Sequence, residues 1–216
     1  MTTRLRIYNG ALLMCEERSL VALTDSVEPR RALDEVWSDG GVDFCLEQAQ
    51  WKFAMRASQV TYNPSLEPDW GYRRGFDKPT DWMATSAVCQ DEYFRVPLLG
   101  YSDEIGHWFA DLDTIYVKFV SNDASYGGDL SRWPATFADF VKAHFAMKVI
   151  ARLSGGNADR IERVAKIEED ARRTAKNKDA MAGPTTFPAR GAWLNARYGR
   201  GSAGRDGGGR TGNLIG

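Results

Sequence analysis

Histidine is scarce in this chain of 216 residues: there are two, His107 and His144. Cysteine is hardly commoner, at three, and Cys15, Cys45 and Cys89 lie too far apart to form a Cys-x-x-Cys pair. A metal site of ordinary ligand spacing is therefore not expected. An odd number of scattered cysteines points to buried free thiols in a reducing compartment rather than to a disulfide framework. No stretch approaches the roughly 20 apolar residues of a membrane span. The opening "MTTRLRIYNGALLMCEE" starts basic but lacks the apolar run of a signal peptide. The expectation is a soluble protein made in the cytoplasm, with no membrane partner.

Recognisable catalytic patterns are missing too. There is no phosphate loop, no GxGxxG opening a helix, no HExxH and no GxSxG. His144 falls among Phe140, Phe145 and Met147, which reads as a core or interface histidine, and His107 beside Trp108 reads as part of a strand. Asp111 with Asp113, and Asp91 with Glu92, read as solvated turn residues rather than as an acid–base pair. Neither catalysis nor a cofactor is expected.

Net charge is also nearly absent, at −1, which excludes a protein that coats nucleic acid over its whole surface. The charge is unevenly spread, however. From Pro184 onward there are five arginines and one aspartate, a surplus of +4 that leaves −5 on the remainder. This last stretch is rich in glycine, yet it also carries Trp193, Leu194, Tyr198, Leu214 and Ile215. One reading is an arginine-glycine tail of a nucleic-acid-binding module. The other is an extended arm that docks on a partner, with aromatic and arginine anchors and glycines that let the backbone lie close.

The rest of the chain has ample material for a core, with 43% hydrophobic and 12% aromatic residues. Ile7, Tyr8, Ala11, Leu12 and Cys15 share one face of a helix over 3–17. Leu33, Val36, Trp37, Gly40, Phe44 and Trp51 keep one phase from Pro29 onward; Gly40-Gly41 reads either as a helix break or as a place where another helix crosses closely, and the phase kept on both sides favours a single long helix. Between Trp51 and Val120, prolines and glycines separate short aromatic and β-branched runs: "WKFAMRASQVTY", "DWMATSAVC", "YFRVPLL", "GHWFAD" and "TIYVKFV". These read as antiparallel strands. Helices return at Pro134, with a stripe wide enough for burial on most sides, and again at the N-cap Asn157. The last helix has a narrow apolar stripe (Ile161, Val164, Ala165, Ala171, Ala175). Its outer face should carry Glu162–Lys166, Glu168–Arg172 and Glu169–Arg173 pairs. The predicted architecture is mainly α: a four-helix bundle with an inserted small antiparallel β subdomain and an extended C-terminal arm. Residues 1–50 supply two helices, 51–120 the strand-rich insertion, 121–183 two more helices, and 184–216 the Gly/Arg-rich arm.

Several short segments, taken in order, resemble the tail tubular protein A family, the head–tail adaptors of tailed bacteriophages. They are Tyr8-Asn9 with Ala11-Leu12, the Glu17-Arg18 turn, "SLVALTD", the pair Arg30-Arg31, Trp37, "WKFAMR", and the Pro79-to-Asp81 segment of "FDKPTDW". The family usually has a glycine before Glu-Arg in the first turn, where this chain has Glu16. The resemblance implies a non-catalytic virion protein at the head–tail interface. Such a protein forms a dodecameric ring beneath the portal protein, and its lumen passes genomic DNA without sequence-specific binding. The strand-rich unit faces a downstream tail protein, and the C-terminal arm lies in or along the portal. On that reading Arg190, Trp193, Tyr198, Arg200, Arg205, Arg210, Leu214 and Ile215 are the portal contacts. Arginine suits bidentate contact with carboxylates, and the aromatics fill pockets. Arg160, Glu162, Arg163, Glu169 and Arg173 on the last helix are candidate contacts between neighbouring subunits, where opposite charges set register.

Overall fold

Thr3 begins the first helix. Its extended backbone and its hydroxyl, which accepts the Arg6 amide, cap α1 (Arg4–Met14). Ile7, Tyr8, Ala11, Leu12 and Cys15 are all fully buried, as their spacing predicts. The computed structural model describes residues 2–183 apart from Trp70. After α1 come α2 (Glu28–Ser38) and α3 (Gly41–Glu47), then six strands, then α4 (Ala135–Leu153) and α5 (Ala158–Met181). Two single turns of 3-10 helix, Lys52–Ala54 and Leu130–Arg132, lead into the strands and out of them.

The long second helix predicted from Pro29 does not form. Asp39 ends α2, and Gly40 takes a left-handed conformation at φ 78°, which favours glycine because a Cβ there meets the following carbonyl. Gly41 then starts α3 in close contact: a Cβ on it would lie 2.7 Å from the Val36 carbonyl oxygen and 3.1 Å from the Phe145 ring. The break resets the helical phase. Cys45 and Leu46 turn into the core, while Phe44, predicted to be core-facing, is 40% exposed.

The strands are β1 (Met55–Thr61), β2 (Arg74–Asp77), β3 (Trp82–Cys89), β4 (Tyr101–Glu104), β5 (His107–Ala110) and β6 (Thr114–Ser121). They form two antiparallel three-stranded sheets, ordered β1-β6-β3 and β2-β5-β4. β2 and β4 fall outside the strand-like runs read from the sequence. "YFRVPLL", by contrast, is not a strand. The Asp91 carboxylate accepts the amides of Arg95 and Val96 and folds this segment into a turn.

Together these findings correct the mainly-α, four-helix-bundle expectation. Among the described residues there are five α-helices and two sheets, 43% helix and 20% strand, so the class is α+β. The sheets are more than an insertion because they bury a core of their own: Phe76, Trp108, Ile115, Val117 and Phe119. The helical core is centred on α4, which packs against α1, α2, α3 and α5. β6 serves both cores, with Ile115, Val117 and Phe119 on the sheet side and Val120 in the helical cluster.

Candidate interaction surfaces

The portal contacts expected at Arg190, Trp193, Tyr198, Arg200, Arg205, Arg210, Leu214 and Ile215, and the extended arm that carries them, lie outside the described residues. The five positions expected between subunits are all on α5, which Asn157 caps by accepting the amides of Asp159 and Arg160. They do not form one class. Arg160 donates to the Cys15 carbonyl and lies within 3.5 Å of Glu17, and Arg163 bonds Glu16. These two arginines fasten α5 to the end of α1 within the chain. Glu162, Glu169 and Arg173 project to solvent. Glu162 pairs with Lys166 at 2.9 Å, as predicted. Arg173 turns to Asp170 at 2.6 Å instead of Glu169, and Glu168 turns inward to His144 instead of to Arg172. Glu169 and Arg173, with Arg172 and Lys176, border a shallow polar depression on this face.

Four polar nodes hold the described part together. In the first, the Asp34 carboxylate receives the Tyr8 hydroxyl at 2.8 Å, Arg4 at 2.7 Å and Arg30 at 2.5 Å. Burial and the hydrogen bond to Asp34 raise the Tyr8 phenol well above its usual value, so it stays a donor. In the second, the Asn9 side chain bonds both backbone groups of Leu20, donating at 3.0 Å and accepting at 2.8 Å. In the third, Asp81 accepts the Ser121 hydroxyl and the Arg56 guanidinium, the latter at 2.7 Å. Burial pulls the Asp81 carboxyl upward, but the Ser121 and Arg56 hydrogen bonds and the charge of Arg56 outweigh it and hold the pKa below the usual carboxylate range.

The fourth node is His144, on the buried face of α4. Its Nδ1 lies 3.5 Å from Glu168, Phe44 stacks on its ring at 4.5 Å, and its Nε2 has no partner among the described residues. Burial lowers its pKa. Glu168 works the other way without prevailing, and Lys148 adds to the lowering. His107 sits in β5, 3.1 Å from Asp77. Asp111 and Asp113 are turn residues paired with Arg73 and Arg74. Burial pushes the Cys15 thiol up to about 11, and Cys45 and Cys89 are likewise buried and raised. All three thiols are thus protonated near neutrality.

Two features offer apolar surface to another molecule. One is a groove of about 240 Å³ lined by Trp51, Pro134, Phe137, Ala175 and Met181, beside the end of α5. Near it, Lys52 donates to the Asp179 and Ala180 carbonyls at 2.6 and 2.9 Å, an arrangement that suits the negative end of a helix. The other is the turn after β3, where Tyr93, Val96 and Leu99 are exposed. Sequence reasoning missed both. The groove combines residues far apart in the chain, and the turn was read as a strand from its β-type composition.

Among the described residues no group of three or more histidine, cysteine or carboxylate side chains is placed to hold a metal ion, and no helix is long and apolar enough to cross a membrane. No protein-family model matches the chain, and no curated protein matches it in sequence.

Proposed function

We propose that this chain is a structural head–tail adaptor of a tailed bacteriophage: a subunit of a dodecameric ring that docks beneath the portal protein and continues the channel for genomic DNA. The observation that carries the reading is the order of the family-like segments along the chain. Arg56 of "WKFAMR" and Asp81 of the Pro-x-Asp segment form one ion pair. Asn9 of the first segment bonds Leu20 of "SLVALTD" on both its backbone groups. Arg30 and Tyr8 share Asp34, and Trp37 packs edge-on against Tyr8 at 6.1 Å. The reading rests on the order of these segments in the sequence, and in the fold several of them lie in contact with one another.

The one departure from the family pattern also supports the reading. Glu16 stands where the family usually has glycine, and its backbone is left-handed at φ 58°. That is a conformation glycine adopts without strain. Here Glu16 is held by Arg163.

The C-terminal stretch remains the proposed portal contact, with downstream tail protein at the strand-rich end. Co-sedimentation with the portal ring of the same phage tests this, comparing the full chain with one stopped at Gly183. The expected outcome is that the full chain assembles on the ring and the shortened one does not. Equal binding would move the interface into residues 2–183. Binding by neither, with strongly salt-dependent binding of short DNA or RNA instead, would favour the arginine-glycine nucleic-acid module.

A further inference from the structure

A third apolar surface lies where α1 gives way to α2, and it faces water. Leu13 of α1 is 74% exposed, Val21 is 87% exposed, and Leu23 and Val27 are exposed as well. The loop that carries the last three is fixed in place. Asn9, one helical turn before Leu13, bonds both backbone groups of Leu20, so Val21 lies beside the α1 face that bears Leu13. The Asp25 carboxylate then accepts the Val21 and Ala22 amides at 2.8 and 3.1 Å, and the Asp25 amide donates to the Ala22 carbonyl at 3.3 Å. Leu20 is itself buried in the helical core and anchors the loop there. A loop bonded in this way loses little conformational freedom when it meets a partner.

The groove beside the end of α5 is a fitting counterpart. Trp51, Phe137 and Ala175 of the helical core line it, and Met181, 80% exposed, borders it. At about 240 Å³ it is smaller than the roughly 300–1,000 Å³ of pockets that enclose a small molecule. It suits one or two aliphatic side chains presented from a fixed backbone.

The two surfaces stand at opposite ends of α5. Near its start, Arg160 donates to the Cys15 carbonyl and Arg163 bonds Glu16, directly after the turn of α1 that carries Leu13. Near its finish, Lys52 donates to the Asp179 and Ala180 carbonyls, beside the groove. A helix rises about 28 Å from Arg160 to Asp179. One copy's loop is thus out of reach of its own groove. Charge is matched in the same sense. Asp25 on the loop has no cationic partner among the described residues, and Lys178 on the groove has no anionic one.

We infer that copies of this chain associate head to tail, with Leu13 and the 20–27 loop of one copy seated in the α5-end groove of the next and Asp25 facing Lys178. Each chain carries both halves of the contact and can fill neither alone, which makes a second copy the fitting occupant. A contact between two unlike surfaces repeats from copy to copy, and closes into a ring where the rotation allows. The inference stands on these two surfaces and not on the adaptor reading, which implies a ring without saying which faces meet. Arg160 and Arg163, expected between subunits, are instead engaged within the chain.

The test joins exposed cysteines on the full-length chain, alone and with the portal ring. Cys15, Cys45 and Cys89 are buried, so a short bis-maleimide reaches only introduced thiols. A chain with both Val21→Cys and Met181→Cys is expected to give a ladder of multimers. Either substitution alone should leave monomer, and a mixture of the two single variants should give dimer. Ile105→Cys with Met181→Cys is the control, because Ile105 is fully exposed between β4 and β5, and it should give at least tenfold less multimer. In sedimentation velocity, Val21→Ser should weaken self-association about tenfold, as expected for an aliphatic side chain withdrawn from burial, while Ile105→Ser should not change it. Dimer from Val21→Cys alone would mean that loop meets loop, and joining within one chain would mean that the groove is filled from the same copy; either overturns the inference. So would multimers no more abundant than in the Ile105 control, or monomer throughout with the portal ring and without it. A ladder from a chain that does not bind the portal would overturn the adaptor reading alone, and portal binding without a ladder would overturn this inference alone.

Discussion

Single side chains in this protein act mainly through backbone geometry and buried charge. Gly41 leaves room for nothing larger, since a Cβ there would press on the Val36 carbonyl and on Phe145. Gly41→Ala is expected to lower stability by about 1–3 kcal/mol in urea titrations, through overpacking against groups that cannot easily move. Glu16 is a contrasting case. Glu16→Gly relieves its left-handed strain but gives up an exposed ion pair, so it should stay within about 1 kcal/mol of the parent. Glu16→Val keeps the strain and loses the pair, and should fall roughly 2 kcal/mol below Glu16→Gly in the same titration.

Titration has a definite sign at two sites. Neutral His144 is favoured in the fold, so the unfolded chain takes up a proton first as pH falls. Its contribution is complete above the unfolded histidine pKa of about 6.5 and declines below it. Urea midpoints at pH 8 and pH 5.5 should show a loss that His144→Gln reduces. Asp81 titrates lower: its stabilisation is present above about 4 and is lost as pH falls beneath that value. Asp81→Asn should therefore weaken the protein at neutral pH and flatten its response to acid.

At the scale of elements, the helices were largely legible and the strands only partly. Tyr8, Leu12 and Cys15 mark the buried face of α1, and Asn157 marks the start of α5, because these signals act within one or two turns of chain. Asn157→Ala is expected to lower the thermal midpoint, by an amount equivalent to about 1 kcal/mol, through loss of the cap on two amides. The Asp39–Gly40 break was one of two readings open in the sequence, and the apolar phase on both sides pointed to the other; left-handed Gly40 and the close approach of Gly41 to Val36 and Phe145 mark the break in the fold. β2 and β4 are four residues each, too short for a period-two pattern to stand out, and each takes its hydrogen bonds from β5. In "YFRVPLL" β-type residues were outweighed by one carboxylate bonding backbone amides across the turn. The two outer-face pairs that failed on α5 did so because Glu168 was drawn inward to His144 and Asp170 lay nearer to Arg173.

For the molecule as a whole, β6 couples the two cores. Val120→Ala opens the helical cluster from the strand that also carries Ile115, Val117 and Phe119. It should destabilise the protein by roughly 2–3 kcal/mol. If the cores unfold as one unit, hydrogen exchange will show amides of α4 and β5 losing protection together in this variant. Persistent protection of α4 while β5 exchanges would mean that the sheets open independently.

The adaptor reading depends on this scale as well. Short segments quoted from the sequence are individually weak, and the proposal rests on their order; in the fold they meet at Asp34, Leu20 and Asp81. None of those contacts could be read from spacing, since Arg56 and Asp81 are 25 positions apart. The sequence by itself determined the placement of α1, α4 and α5, the alternation of β6 and the uneven charge, because each follows from local periodicity, capping or composition. Only the tertiary structure decided that the second helix breaks, that the strands form two sheets with their own core, and which charges on α5 are engaged within the chain. Those outcomes depend on close approach and competition between partners distant in sequence, where packing and hydrogen bonding outweigh local preference.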